Sequence, residues 1–169
     1  MITRDVEKQV ETYLNNQDYK IFFLWGPRRS GKTTILKDLA KKHGYPLFNF
    51  DFQTDRDKFK PEREALAAIA QSQTVILIDE VQNFPEATIA LKLLHDEFGL
   101  KIIATGSSEL RQKSNQFDSL AGRFTDHYCL PLSIYEIAAS KKVQPYQKED
   151  LNKQLLAELQ IFGAYPEVY

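Results

Sequence analysis

The chain has 169 residues, 43% hydrophobic and 27% charged, which suits one domain with a sizeable core and argues against dominant disorder. Lys and Arg number 22 and Asp and Glu 23, a net charge of −1 that offers no broad basic face for nucleic acid. The single cysteine, Cys129, rules out an internal disulfide, no run approaches the roughly 20 apolar residues of a membrane span, and MITRDVEKQVETYL lacks a signal-peptide core, so the cytoplasm is the expected compartment.

Residues 5–16 place Val6, Val10, Tyr13 and Leu14 on one helical face. Residues 19–25 are a short apolar run that ends at Gly26 and reads as a buried strand. A glycine-bearing loop follows, then a helix from Lys32 to Lys42 stopped near Gly44 and Pro46. LFNFDF (47–52) predicts a second strand, Pro61 opens a helix through Leu66 and Ile69, and TVILID (74–79) predicts a third strand. Pro85 starts a helix with Ala87, Leu91, Leu94 and Phe98 at helical spacing, and LKIIATG (100–106) predicts a fourth strand. Residues 107–123 are polar and irregular; 124–132 read as a fifth strand, Ser133–Ala139 as a helix and Leu151–Ile161 as a last helix. Strands alternate with helices throughout, which predicts parallel βαβ units in a three-layer α/β sandwich with ligands at the carboxyl ends of the strands.

Gly26-Pro27-Arg28-Arg29-Ser30-Gly31-Lys32-Thr33 has the form G-x-x-x-x-G-K-[ST] between a predicted strand and a predicted helix. The glycines let the loop turn tightly and aim backbone N–H groups at phosphate oxygens, and the helix N-terminus adds positive potential. Residues 26–34, through Thr34, are therefore the expected nucleotide-binding loop. Lys32 is expected on the β- and γ-phosphates and Thr33 on Mg²⁺. Arg28 and Arg29 are either phosphate contacts or solvated charges.

Val75-Ile76-Leu77-Ile78 runs into Asp79-Glu80, a buried strand that delivers two carboxylates beside the phosphate loop, the Walker B pattern. Asp79 is the expected partner of Mg²⁺ and Glu80 the residue that polarises an attacking water. The chain has neither Asp-x-x-Gly at this point nor an Asn-Lys-x-Asp motif later, which argues against a GTPase. No basic lid segment points to a small-molecule kinase.

Other polar residues leave alternatives open. Thr105-Gly106-Ser107-Ser108 ends the fourth strand, where Thr105 or Ser107 is either a γ-phosphate sensor or part of a helix-capping turn. Arg123 precedes the fifth strand and is either an arginine finger toward a neighbour's nucleotide or a surface residue. Asp51 is a rim residue or a loop cap, and Gln82 follows the two acids closely, where it can touch the water network. His43, His95 and His127 show no metal-ligand spacing, and Cys129 reads as core.

With these residues assembled, the chain resembles a family of prokaryotic AAA-type predicted ATPases, in which a P-loop core precedes a C-terminal domain of unknown function. The matching residues are Arg4, GPRRSGKTT (26–34), FDFQ (50–53), ILIDEVQNFPE (76–86), ATGSS (104–108), LAGR (120–123), LPLSIYE (130–136) and GAYPEV (163–168). The resemblance implies a P-loop NTPase fold with a five-stranded parallel sheet of order 5-1-4-3-2, ATP as nucleotide, Lys32, Thr33, Asp79 and Glu80 as the site, and Arg123 as the finger. Gly163-Ala164-Tyr165 departs mildly from the family pattern. Residues 1–140 then form the ATPase core with its N-terminal helix, and 141–169 read as the start of a following helical segment that is cut short at Tyr169. Two functions stay open: an ATP hydrolase working in a homo-oligomer, or an ATP-gated binding module with negligible turnover; a third, weaker reading is DNA binding linked to ATP, to which the net charge of −1 gives no support. In the first two, the missing domain is expected to contact the partner.

Overall fold

The structure is a computed structural model that describes residues 2–17, 20–71, 73–108, 116–141, 144 and 147–169. Its centre is a five-stranded, all-parallel sheet: β1 (Ile21–Gly26), β2 (Leu47–Asn49), β3 (Val75–Asp79), β4 (Lys101–Ser107) and β5 (Phe124–Tyr128). The spatial order is β2-β3-β4-β1-β5, the expected order read from the other edge. Around it lie α1 (Asp5–Asn15), α2 (Lys32–His43), α3 (Gln53–Arg56), α4 (Arg63–Ala70), α5 (Ala87–Asp96), α6 (Ile134–Ser140) and α7 (Lys148–Phe162). None of these helices is long and apolar enough to cross a membrane among the described residues.

The period of two along β1 builds the three layers. Ile21, Phe23 and Trp25 face a cluster with Leu66 of α4 and Ala90, Leu91 and Leu94 of α5. Phe22 and Leu24 face the opposite cluster with Val6 and Val10 of α1 and Ile35, Leu36 and Leu39 of α2. All six β1 residues are buried, as a central strand covered on both sides requires. A third cluster joins Ile137 of α6 to Leu155 of α7, with Ile2 packed against it.

Two strands are shorter than their apolar patterns suggest. β2 stops at Asn49, whose side-chain oxygen accepts the Asp51 N–H at 2.8 Å and whose carbonyl accepts Phe52 N–H at 3.0 Å. This Asx turn bends LFNFDF out of the sheet although Phe50 remains buried. β5 stops at Tyr128, and Cys129 N–H still donates to Trp25 O at 2.7 Å before Pro131, which has no N–H, ends the pairing. The irregular pattern read over 107–123 lies in part outside the described residues; Gln116–Leu120 form a 3₁₀ turn that buries Phe117 and Leu120.

A buried ion pair joins the ends of the chain's core. Ser133 and Glu136 form the capping box of α6: Glu136 N–H donates to Ser133 Oγ at 3.1 Å and Ser133 N–H to Glu136 Oε2 at 2.7 Å. The other carboxylate oxygen, Oε1, accepts Arg4 Nε at 3.1 Å and Asp5 N–H at 2.8 Å. Arg4 also donates from Nη1 to the Ser30 carbonyl at 2.6 Å and from Nη2 to the Leu130 carbonyl at 2.5 Å. Burial alone would raise the Glu136 pKa, but the Ser133 and Asp5 N–H groups and Arg4 together hold it below the ordinary glutamate value. Arg4→Ala leaves a buried carboxylate uncompensated, and we expect it to cost about 3–5 kcal/mol in chemical denaturation. Because the Glu136 pKa is depressed in the folded state, its contribution is present above the unfolded value and fades as pH falls through the folded one. The gap between wild type and Arg4→Ala should therefore narrow in acid.

Candidate functional site

The sheet brings the sequence motifs to one edge. Gly26 at the end of β1 pairs with Ser107 at the end of β4, and Ile78, just before Asp79 in β3, pairs with Ala104 of β4. The phosphate loop leaves β1 at Gly26, where a Cβ would stand 2.2 Å from the Cys129 carbonyl, so no larger residue fits this close approach to β5's extension. Gly31 has φ +98 and opens α2 without a side-chain cap, which leaves the helix's first N–H groups facing outward. Gly44 ends α2 with φ +73, its N–H on Ala40 O at 2.9 Å, after Lys41, Lys42 and His43, the charge sign suited to a helix C-terminus.

Lys32 is buried to 6% exposure, and its ammonium folds back to donate to Gly26 O at 3.0 Å and Pro27 O at 2.8 Å. Burial pushes its pKa below the ordinary lysine value, while the carboxylates of Glu80 and Asp79 draw it back up. Lys32 lies on the wall of a cleft of about 600 Å³ together with Arg28, Thr33, Thr34 and Glu80. The side chain of Ser30 points inward instead: its Oγ is buried without a hydrogen-bond partner among the described residues.

Asp79 is 2% exposed, and its Oδ1 accepts both the Thr105 hydroxyl and the Glu80 N–H. Thr105 is fully buried with its hydroxyl committed to Asp79. The structure thus brings Thr105 to an acid. Ser107 meets the same neighbourhood through its backbone N–H, which donates to Gln82 Oε1 at 3.2 Å. Asp51 lies on the cleft rim, where its Oδ1 accepts Asn83 Nδ2 at 2.6 Å. A hydroxyl at Thr33 and a carboxylate at Asp79 are hard oxygen donors, the kind Mg²⁺ takes alongside water and substrate phosphates. Among the described residues no group of three His, Cys, Asp or Glu offers a cage of its own. Thr33 and Asp79 are therefore the residues that could hold a Mg²⁺ ion jointly with a nucleotide.

Local sequence pattern did not place residues 166–167 at the cleft. Pro166 and Glu167, in a 3₁₀ turn over Pro166–Val168, line it, and the exposed Arg29 donates from Nη1 to Glu167 Oε1 at 3.1 Å. A second, more apolar cleft of about 210 Å³ adjoins the first at Gly31 and Thr34 and is walled by Ile2, Ile35, Leu132 and Tyr169. Only the family pattern over 163–168 pointed toward this segment; no local periodicity does.

Arg123 stands apart. Its carbonyl accepts Ile21 N–H at 2.7 Å, so it lies at the start of β1, roughly 16 Å of extended strand from Gly26. Arg123 Nε donates to both Asp96 oxygens at 2.9 Å. These bonds from Arg123, with one from His95, hold the Asp96 carboxyl down at about 2. Arg123→Ala should return the Asp96 titration toward the ordinary carboxylate range, which carbon-detected NMR in acid would read.

Residues 18–138 match an AAA domain family. An uncharacterized protein of Methanocaldococcus jannaschii is 28% identical over 144 residues, covering 78% of this chain and 30% of its own length. The HTH-type transcriptional regulator AdmX of Serratia plymuthica is 29% identical over 133 residues, covering 73% of this chain and 42% of its own. Among solved structures, the Walker-type ATPase paby2304 of Pyrococcus abyssi superposes with TM-score 0.61 at 17% identity over 98% of this chain and 65% of that one. Bacteroides Pif1 bound to single-stranded DNA superposes with TM-score 0.51 at 17% identity, over 94% of this chain and 50% of that one. At these identities both show a shared fold, and the chain spans less than two thirds of each of these proteins.

Proposed function

Because the chain belongs to the AAA domain family and has the fold of a P-loop ATPase core, we propose that it binds ATP with Mg²⁺ and hydrolyses it to ADP and phosphate. The observation that carries this reading is the meeting of a lysine-bearing glycine loop with the Asp79–Glu80 end of β3 at one edge of the sheet. In this reading residues 26–34 cradle the phosphates through backbone N–H groups. Lys32 exchanges its two carbonyl partners for phosphate oxygens. Thr33 and Asp79 would hold Mg²⁺ together with the nucleotide, and the ion would supply positive charge to offset that of the phosphates. Glu80 orients the water and takes its proton. The adjoining apolar cleft suits a flat base, and its share of Thr34 and Gly31 keeps base and phosphates in reach of one another. Thr105 serves as an indirect sensor, through Asp79.

Arg123 is too far from its own phosphate loop to stabilise a transferring phosphoryl there, so we assign it to a neighbour's cleft in a homo-oligomer. Its pairing with Asp96 favours a second reading for the isolated chain, that of an ATP-gated module with slow turnover, because the finger is occupied until a neighbour competes for it. The lone buried thiol supports a cytoplasmic setting.

One assay tests the reading: ATP turnover against protein concentration, with Mg²⁺ and with EDTA. We expect Mg²⁺-dependent hydrolysis whose specific activity rises with concentration, and partial recovery when Arg123→Ala and Lys32→Ala chains are mixed. No turnover at any concentration, with ATP still bound, would leave the gated module as the function.

A further inference from the structure

The turn after β3 has a feature that the phosphate-loop motifs do not explain. Glu80 takes φ +55 and ψ +43, a left-handed conformation uncommon for a residue with a side chain. Strain of this kind persists where the surroundings over-determine it. The bend diverts the chain at once from β3 into the 3₁₀ turn Val81–Asn83, which brings Gln82 back beside Glu80. Gln82 Nε2 donates to Glu80 Oε2, and Gln82 Oε1 accepts Ser107 N–H at 3.2 Å.

These two bonds fix which way the amide faces. The Ser107 N–H needs an acceptor and the Glu80 carboxylate needs a donor, and one orientation satisfies both. The space is also set aside for it. A Cβ at Gly106 would come within 2.9 Å of Gln82 Oε1 and 2.4 Å of the buried Trp25 ring. A glycine at that strand position therefore lets the amide reach the sheet. The end of β4 consequently holds both acids, Asp79 at the end of β3 directly through the Thr105 hydroxyl and Glu80 in the turn after it through Gln82.

We infer that Gln82 is a positioning residue for hydrolysis: it holds one oxygen of Glu80 in place, leaving the other for the water, and couples that carboxylate to the strand end carrying Thr105 and Ser107. It acts through Glu80 and touches neither nucleotide nor water. The inference rests on the reading of Glu80 as the group that acts on water. It also recasts the sensor strand, whose influence on the chemistry runs through two side-chain bonds to the acids.

The test is a cycle of Gln82→Met, which keeps volume and removes both hydrogen bonds, with Glu80→Gln. Turnover, ATP affinity and melting temperature are measured for the wild type, both single variants and the double variant. Gln82→Met should lower kcat by about tenfold or more, as a displaced catalytic group does, with ATP affinity unchanged within about twofold. In the Glu80→Gln background the same substitution should change turnover by less than about twofold, because the group it positions is gone. An equal loss in both backgrounds would make Gln82 merely structural and overturn the inference, as would full turnover in Gln82→Met while Glu80→Gln is impaired. Should Gln82→Met fail to fold, Gln82→Asn, whose amide is too short for both bonds, gives the same comparison. An inactive wild type, or a Glu80→Gln chain as active as the wild type, would instead overturn the hydrolase reading and this inference with it.

Discussion

Lys32→Ala is expected to lose ATP affinity by about 10²- to 10⁴-fold, while the chain still folds. Hydrogen bonds to charged groups contribute about 1.5–3 kcal/mol each, and the two that Lys32 now spends on Gly26 O and Pro27 O would pass to phosphate oxygens. The ammonium is held in a buried position that depresses its pKa, so the free protein keeps it charged at a cost. A polyphosphate relieves that cost, which makes the differential binding larger than a surface lysine would give. The fold should survive because Lys32 itself lies on the wall of an open cleft, so water can enter the space its side chain vacates. Calorimetric titration with Mg·ATP reads the affinity, and thermal melting of the nucleotide-free variant reads the fold. A folded Lys32→Ala chain that binds ATP as the wild type does would remove the basis for calling residues 26–34 a phosphate loop.

The parts of this site that are local in sequence were legible there. The phosphate loop needs eight consecutive residues between a strand and a helix, and Gly26 to Thr33 supply them with flanks of the right period. Asp79 and Glu80 follow from an apolar run that ends in two acids. The sheet order was legible through resemblance, since hydrophobic runs alone give strands but no neighbours. What escaped the sequence is long-range or conformational. Arg4 and Glu136 are 132 positions apart, and although Ser133-Ile-Tyr-Glu136 announces a capping box, nothing local says that the glutamate's second oxygen will meet Arg4. No residue pattern marks a left-handed glutamate, so the bend that brings Gln82 to Glu80 was invisible. The overextended reading of β2 has a similar origin: Phe50 and Phe52 continue the alternation, but Asn49 captures the backbone in a turn. Composition concealed where single cations matter, because Arg4, Arg29 and Arg123 are each paired with an acid.

Glu80→Gln should leave ATP bound and lower the rate of its hydrolysis by about 10²- to 10⁴-fold, the range lost when a general base is removed. The substitution is a narrow one in this structure. Gln82 donates to Glu80 Oε2, and a glutamine at position 80 can accept that same bond with its amide oxygen, so the side chain keeps its place. The left-handed backbone at this position is equally open to either residue, which differ in neither branching nor length. What changes is charge and basicity: an amide has no affinity for the proton that water must give up. Removing a carboxylate that attracts Lys32 also takes one negative charge from the surroundings of the phosphates, so ATP affinity should hold or tighten. The variant is therefore expected to carry ATP, rather than ADP, through gel filtration, and to show a single-turnover rate far below that of the wild type at equal occupancy. Loss of ATP binding would mean that Glu80 contributes to the shape of the cleft. Wild-type single-turnover rates would place the water-activating group elsewhere among the residues that line it, with Asp51 on the rim the next to test.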